Sequence, residues 1–394
     1  MTGTATPRAL GGYLALMQFV FASSWTIYAI YLPGLLETAG IGKAAVPWVL
    51  IADQALFAVF DLVFGAAAAR GLAAYGRIAP ALSGVALLSC AAFVALPWGA
   101  AHAGLLLALT ALWVVSSAAL RAPLFAMLSR HATQSQVGWI AAATTVGMAL
   151  AGAIAPWLGS ILKSVTPALP FALSSLVLAA LVLPLAWAER LRPATTATAD
   201  APAPAFGAPR FFALLLFAAL AAQLHFHLAA APRYLADHPA ADLVWLMPLF
   251  WIGVAVGCVL AAPLRRALGP RRAWLAGCAV AAAAAMIHAM LPGSASAMFG
   301  QATGGIGWGV ALTLAFGIAD SLGRSPGHGG QDRRALMAGG LYAMLAVATL
   351  TRIGINAAGL PQQPDWAVLL PLLPALLWGG AASASLAGRA HSPH

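Results

Sequence analysis

Residues 46–77 read VPWVLIADQALFAVFDLVFGAAAARGLAAYGR, and the reading of this stretch decides the fold. Its apolar part is longer than the ~20 residues a helix needs to cross a bilayer. Asp53, Gln54 and Asp61 stand inside the apolar run, which leads into Gly65, Arg70, Gly76 and Arg77. Basic residues gathered at the end of an apolar run mark the side on which it leaves a membrane. Acidic residues within such a run are expensive and point to a functional site.

The rest of the chain has the same character. It has 394 residues, 62% hydrophobic and 8% charged. A soluble globular protein carries about 25% charged residues, so this composition cannot cover a water-facing surface and excludes a soluble enzyme and a disordered chain. Twelve apolar segments can be counted, at 12–36, 45–69, 78–99, 103–128, 137–162, 168–188, 211–232, 243–264, 273–292, 295–321, 336–360 and 366–388. Twelve spans of ~21 residues would take up ~250 residues, leaving no room for a sizeable soluble domain. No ten-residue alternation suggests a membrane β-barrel. The first apolar run is too long for a signal-peptide core and is read as a span. The longest polar stretch, Glu189 to Arg210, contains Pro193, Pro202, Pro204 and Pro209, a composition that reads as a flexible linker. The expected architecture is an all-α membrane protein of twelve transmembrane helices. Residues 1–188 and 211–394 would form two six-helix bundles, joined by a cytoplasmic linker at 189–210.

Charge placement gives the orientation. With the N-terminus inside, fifteen lysines and arginines fall in inner segments, three (Lys43, Lys163 and Arg233) in outer loops, and two (Arg121 and Arg352) within spans. This imbalance predicts a multi-pass protein with both termini cytoplasmic; the expected location is an inner (cytoplasmic) membrane. It also absorbs most of the net charge of +10; no basic stretch is long enough to bind nucleic acid. The three cysteines, Cys90, Cys258 and Cys278, lie in apolar stretches without metal spacing and read as packing residues.

The two halves echo each other. Gly65, Arg70, Gly76 and Arg77 follow the second span; Gly257, Arg265, Arg266, Gly269, Arg271 and Arg272 follow the eighth. The repeated basic loop and the central linker resemble the major facilitator superfamily over nearly the whole chain. That resemblance implies two bundles around a cavity with a site near the bilayer midplane. Three segments are similar to a narrower branch, the glycoside–cation symporters typified by melibiose permease. They are Asp61-Leu62-Val63-Phe64-Gly65 with Arg70, Tyr75-Gly76-Arg77 and Pro80; Pro123-Leu124-Phe125-Ala126-Met127 before Thr133; and Ala319-Asp320 through Arg333-Arg334 to Arg352-Ile353-Gly354. Leu62, Ala69 and Arg352 depart from that branch's proline, aspartate and lysine, and spans 1 and 4 carry no carboxylate.

The intramembrane polar residues are the candidate site. Asp61 and Asp53 are candidates for proton or cation coupling. Desolvation raises a carboxylate's proton affinity and a nearby arginine lowers it, so such a pair can act as a proton switch. The alternative reading of Asp61 is structural, paired with Arg121 inside the first bundle. Arg121 and Arg352 stay charged and are suited to clamp an anion. Gln18, Trp25, Tyr28, Trp113, Gln301, Trp308 and Asn356 are substrate-binding candidates, because aromatic faces with amide and hydroxyl partners suit a polar ring and also many drugs. His225 and His227 are possible proton-relay groups, but at i and i+2 they point ~160° apart, so at most one faces a cavity. Glycines at 147, 152 and 159 with Pro156, and at 300, 304, 305, 307 and 309, read as sites of close helix approach. No nucleotide-binding loop, metal cluster or nucleophile–base pair is present, so no cofactor, metal or catalytic role is expected. The expectation is a secondary active transporter for a small solute, coupled to a proton or monovalent cation, with a sugar or glycoside implied by the branch resemblance. The alternatives are proton-driven efflux of drugs or metabolites, and a non-transporting receptor or assembly factor. No obligate protein partner is evident.

Overall fold

The computed structural model describes residues 7–130, 132, 134–185, 189, 205–324 and 332–386. Among them the chain is helical throughout, with no strand. The first half holds α1 (Pro7–Thr38), α2 (Val46–Tyr75), α3 (Ala79–Gly99), α4 (Ala103–Ala118), α5 (Ala122–Ser129), α6 (Gln134–Leu162) and α7 (Ala168–Val182). The second half holds α8 (Ala208–Leu224), α9 (Ala231–Asp237), α10 (Leu243–Leu246), α11 (Pro248–Leu268), α12 (Pro270–Met290), α13 (Ser294–Arg324), α14 (Arg334–Ala357), α15 (Pro364–Leu369) and α16 (Leu373–Leu386). Thr133, most of the linker and Arg389 lie outside the described residues.

Ten helical stretches are long and apolar enough to cross a membrane, and two shorter apolar helices, α7 and α16, stand where the sixth and twelfth segments were expected. Proline sets the difference. Pro184 cannot donate a backbone hydrogen bond to the turn before it, and α7 ends at Val182. Pro371 lies in the turn that separates α15 from α16, and Pro374 stands at the second position of α16. Hydropathy counts apolar residues, not hydrogen bonds, and so joins segments that the backbone divides.

Two other spans are broken without losing their length. The fourth stops at Ala118 and resumes at Ala122. Pro123, near the start of α5, has no N–H for the Ala119 carbonyl and its ring would clash there. Arg121 sits in the break with φ −99° and ψ −93°. The seventh passes through a π-helical turn at His225–Ala230 between α8 and α9.

α2 shows how the sequence selects its faces. Its buried residues, Asp53, Gln54, Phe57, Asp61, Gly65, Ala68 and Leu72, follow the helical repeat along one side. Val59, Leu62 and Val63 are exposed on the other, as expected for a lipid-facing surface. That buried face crosses α14 where two glycines meet. A Cβ on Gly65 would come within 2.6 Å of the Ala335 carbonyl oxygen, and one on Gly339 would strike the carbonyl of Asp61 itself. α11 packs on α13 in the same way, with Gly305 and Gly309 against the backbone of Phe250 and Val254.

At the end of the molecule where α5 stops, the second half grips the first. The Ser129 carbonyl accepts from Arg324 at 3.4 Å and from Arg334 at 3.2 Å. Arg324 pairs with Asp320 at 2.7 Å and Arg334 with Asp332 at 2.6 Å. Arg130 reaches Asp332 at 3.5 Å. Cations at the carbonyl end of a helix satisfy its orphan acceptors and its dipole. Glu189, the first linker residue, works at the opposite pole of a helix. Its carboxylate accepts from the backbone N–H of Ile78 at 3.1 Å and of Ala79 at 2.7 Å, capping α3.

Candidate functional site

A cavity of about 520 Å³ lies between the two halves of the chain. The first half contributes Gln18, Trp25, Gln54, Phe57, Trp113 and Arg121; the second contributes Gln223, His227, Trp251, Trp308, Tyr342 and Arg352. Its volume falls within the range of small-molecule sites, and its wall is mostly apolar, with aromatic rings and polar groups from both halves.

Arg121 enters the cavity because the helix breaks around it. Its Nη1 lies 2.9 Å from Oδ2 of Asp61, which is fully buried behind it. Neither carboxylate oxygen receives an aligned hydrogen bond, so the contact is one of charge. The guanidinium carbon lies 4.8 Å from the Phe57 ring centre and 4.6 Å from that of Tyr342. A ring from each half therefore faces the same cation, a favourable arrangement where water is scarce.

Asp53 is also buried but lies away from the cavity wall. It accepts a 2.7 Å hydrogen bond from the hydroxyl of Tyr28, which is likewise buried. Tyr28 supports the wall from behind, with its ring 5.4 Å from Trp25 and 4.8 Å from Trp113. Trp25 and Trp113 stack at 5.8 Å with an interplanar angle of 16°. Gln18 lines the cavity and its amide reaches the Leu120 carbonyl at 3.5 Å, serving the backbone of the same break.

In the second half the sequence candidates divide. Arg352, Trp308 and His227 line the cavity. Asn356 stands one turn beyond Arg352 and does not line it. Gln301 is buried and donates to the His225 carbonyl at 3.1 Å. The His225 ring lies 3.1 Å from the Gly300 carbonyl, 5.1 Å from the ring of His288 and 5.5 Å from that of Trp378. The two histidines of the π-helical turn thus diverge, one into the helix packing and one to the cavity.

Arg352 differs from Arg121. It has no ion-pair partner among the described residues, and its Nε is buried without a hydrogen bond. Beyond the sequence candidates, the structure adds Phe57, Tyr342, Trp251 and Thr145 to the wall. Thr145 also bonds Thr313 of the other half, hydroxyl to hydroxyl at 2.9 Å. The signal for Thr145 and Tyr342 was a hydroxyl inside an apolar run; Phe57 and Trp251 carried none. The cysteines are free and buried.

Residues 14–348 match the Major Facilitator Superfamily. No curated protein sequence matches the chain. Among solved structures, the chain is similar to the human organic anion transporter MFSD10 (TM-score 0.72, 13% identity, 97% of this chain and 100% of that one). It is similar to a bacterial homologue of the iron transporter ferroportin (TM-score 0.70, 15% identity, 96% and 98%). It is also similar to the E. coli fucose:proton symporter (TM-score 0.67, 15% identity, 95% and 97%). At these identities the likeness is one of fold. The matched span takes in both halves of the cavity wall from Gln18 to Tyr342, and the chain belongs to the major facilitator superfamily.

Proposed function

We propose that the protein is a secondary active transporter that moves a small amphipathic solute by alternating access and couples this to protons through Asp61. Twelve helices in two six-helix bundles, residues 1–188 and 211–394, rock about the cavity. The linker and both termini lie on the cytoplasmic side of an inner membrane. Transport, not catalysis, is the activity.

The observation that carries this reading is the Asp61–Arg121 pair. The carboxylate is sealed from solvent, its oxygens lack aligned donors, and its partner lines the cavity. Breaking such a pair by neutralising one member is costly, ~3–5 kcal/mol, unless another charge takes its place. Protonation of Asp61 releases Arg121 toward the cavity; loss of the proton draws it back. The same aspartate's backbone bears on Gly339 at the α2–α14 crossing, so the charge change occurs at a contact between the halves. Asp53, hydrogen-bonded to Tyr28, is proposed as the structural member of the two.

The test uses proteoliposomes and a solute chosen from sugars, organic acids and drugs by its stabilisation of the purified protein. An inward proton gradient drives accumulation of that solute, and Asp61→Asn abolishes accumulation while leaving counterflow. Normal accumulation in Asp61→Asn defeats the coupling role. Efflux is the second reading, favoured by the aromatic wall (Trp25, Phe57, Trp113, Trp251, Trp308). Under that reading the same gradient, reversed, expels the solute.

A further inference from the structure

We infer that Arg352 is an anion-binding centre, and that the solute is an organic anion whose charged head pairs with Arg352 while a flat apolar body lies among the aromatic rings. This rests on the reading of the cavity as the transport site. It names a class of solute that the coupling mechanism by itself leaves open.

The charge balance of the wall is the starting point. Among the described residues, two arginines line the cavity and no carboxylate does. Arg121 is neutralised by Asp61 from behind. Arg352 has no acidic partner among the described residues, and its Nε is buried without an acceptor. An isolated charge in an apolar wall is unfavourable until a counter-ion reaches it. A guanidinium offers donors in a planar fork that fits a carboxylate or sulfonate with two parallel hydrogen bonds.

The surroundings favour an anion over the competing classes. A cationic drug would meet an unpaired positive charge and no carboxylate on the wall. A neutral sugar needs donors and acceptors spread around a ring. The wall also carries the amides Gln18, Gln54 and Gln223, the His227 ring and the hydroxyls of Thr26, Thr145 and Tyr342, but its one charge without an ion-pair partner among the described residues is Arg352. A flat apolar body can contact the rings of both halves while its head meets Arg352. Thr349, one turn before Arg352, lines the same wall, but its hydroxyl is spent on the Leu345 carbonyl at 3.0 Å, so it does not compete for the head group.

The experiment measures binding to purified protein by quenching of tryptophan fluorescence. The probes are 2-naphthoate, 2-naphthalenesulfonate, 2-naphthamide and sodium sulfate. Both organic anions are expected to bind about tenfold or more tighter than the amide, the worth of a charged hydrogen-bonded pair. Sulfate alone is expected to bind far more weakly, because it lacks the apolar body. Arg352→Gln removes the preference for acid over amide, and Arg352→Lys keeps part of it. Arg70→Gln, exposed at the end of α2, leaves it unchanged. Equal affinity for 2-naphthoate and 2-naphthamide in the unaltered protein overturns the proposal, whether or not any variant folds. So does a full preference retained in Arg352→Gln, or no binding of either organic anion. The two readings fail separately. Preferential binding of 2-naphthoate without proton-driven accumulation defeats the coupling role of Asp61 and leaves this inference standing. Proton-driven accumulation of a neutral sugar, with no binding of 2-naphthoate, does the reverse.

Discussion

Arg121 and Arg352 face one cavity from opposite halves of the chain, and the halves treat them differently. In the first half, a break at Pro123 places the guanidinium over a buried carboxylate at 2.9 Å and between two rings. In the second half, an unbroken α14 presents the guanidinium with no ion-pair partner among the described residues. Two identical side chains thus become different devices. One is a closed pair, suited to switch when a proton arrives. The other is an open charge, suited to hold whatever anion enters. The difference lies in what stands behind each arginine, not in the arginine.

The largest expected effect comes from opening the closed pair. Asp61→Ala leaves Arg121 without its partner and is expected to cost ~3–5 kcal/mol of stability, read as a fall in the midpoint of thermal unfolding. Arg352→Gln removes a charge that had no partner, so its midpoint should hold or rise; a fall as large as that of Asp61→Ala would erase the distinction between the two sites. Gly339→Ala comes next. Its Cβ meets the Asp61 carbonyl, and overpacking of this kind costs ~1–3 kcal/mol. The pair should be disturbed with it, so transport should fall in step with stability. Thr349→Asp would place a carboxylate one turn from Arg352 and give the second half its own closed pair. Here stability should change little, while the preference for 2-naphthoate over 2-naphthamide collapses.

The smallest effect lies outside the spans, at an arginine pair exposed to ordinary pH. Burial raises the carboxyl of Asp332, but the hydrogen bonds and charge of Arg334, with Arg130, outweigh it and hold the group below its usual range. A depressed carboxylate stabilises the fold at any pH above its unfolded value of about 3.9 and loses that contribution as pH falls toward the folded one. Asp332→Asn should therefore lower the unfolding midpoint slightly at pH 7 and narrow the gap from the unaltered protein below about pH 4. A constant gap across that range would remove Asp332 from the charge balance.

The membrane class, the order of the spans and the three intramembrane charges most tied to the cavity were legible in the sequence. A charge in an apolar run has few physical explanations, so Asp61, Arg121 and Arg352 stood out. The rotation of each helix was not legible. Lipid and helix packing are both apolar, so periodicity cannot separate a cavity face from a packed one. From the sequence, Tyr28, Gln301 and Asn356 are therefore indistinguishable from Trp25 and Trp308, though only the last two line the cavity. The capping of α3 by Glu189 was hidden as well, because a carboxylate more than a hundred residues away carries no local signal.

The hydroxyl bond between Thr145 and Thr313 spans the two halves beside the cavity. Each hydroxyl can donate or accept, and water can serve either one equally well. Separating the two therefore exchanges one hydrogen bond for two of the same kind, a change of ~1 kcal/mol. Under the proposed alternating access, this contact would therefore set little resistance to separation of the halves.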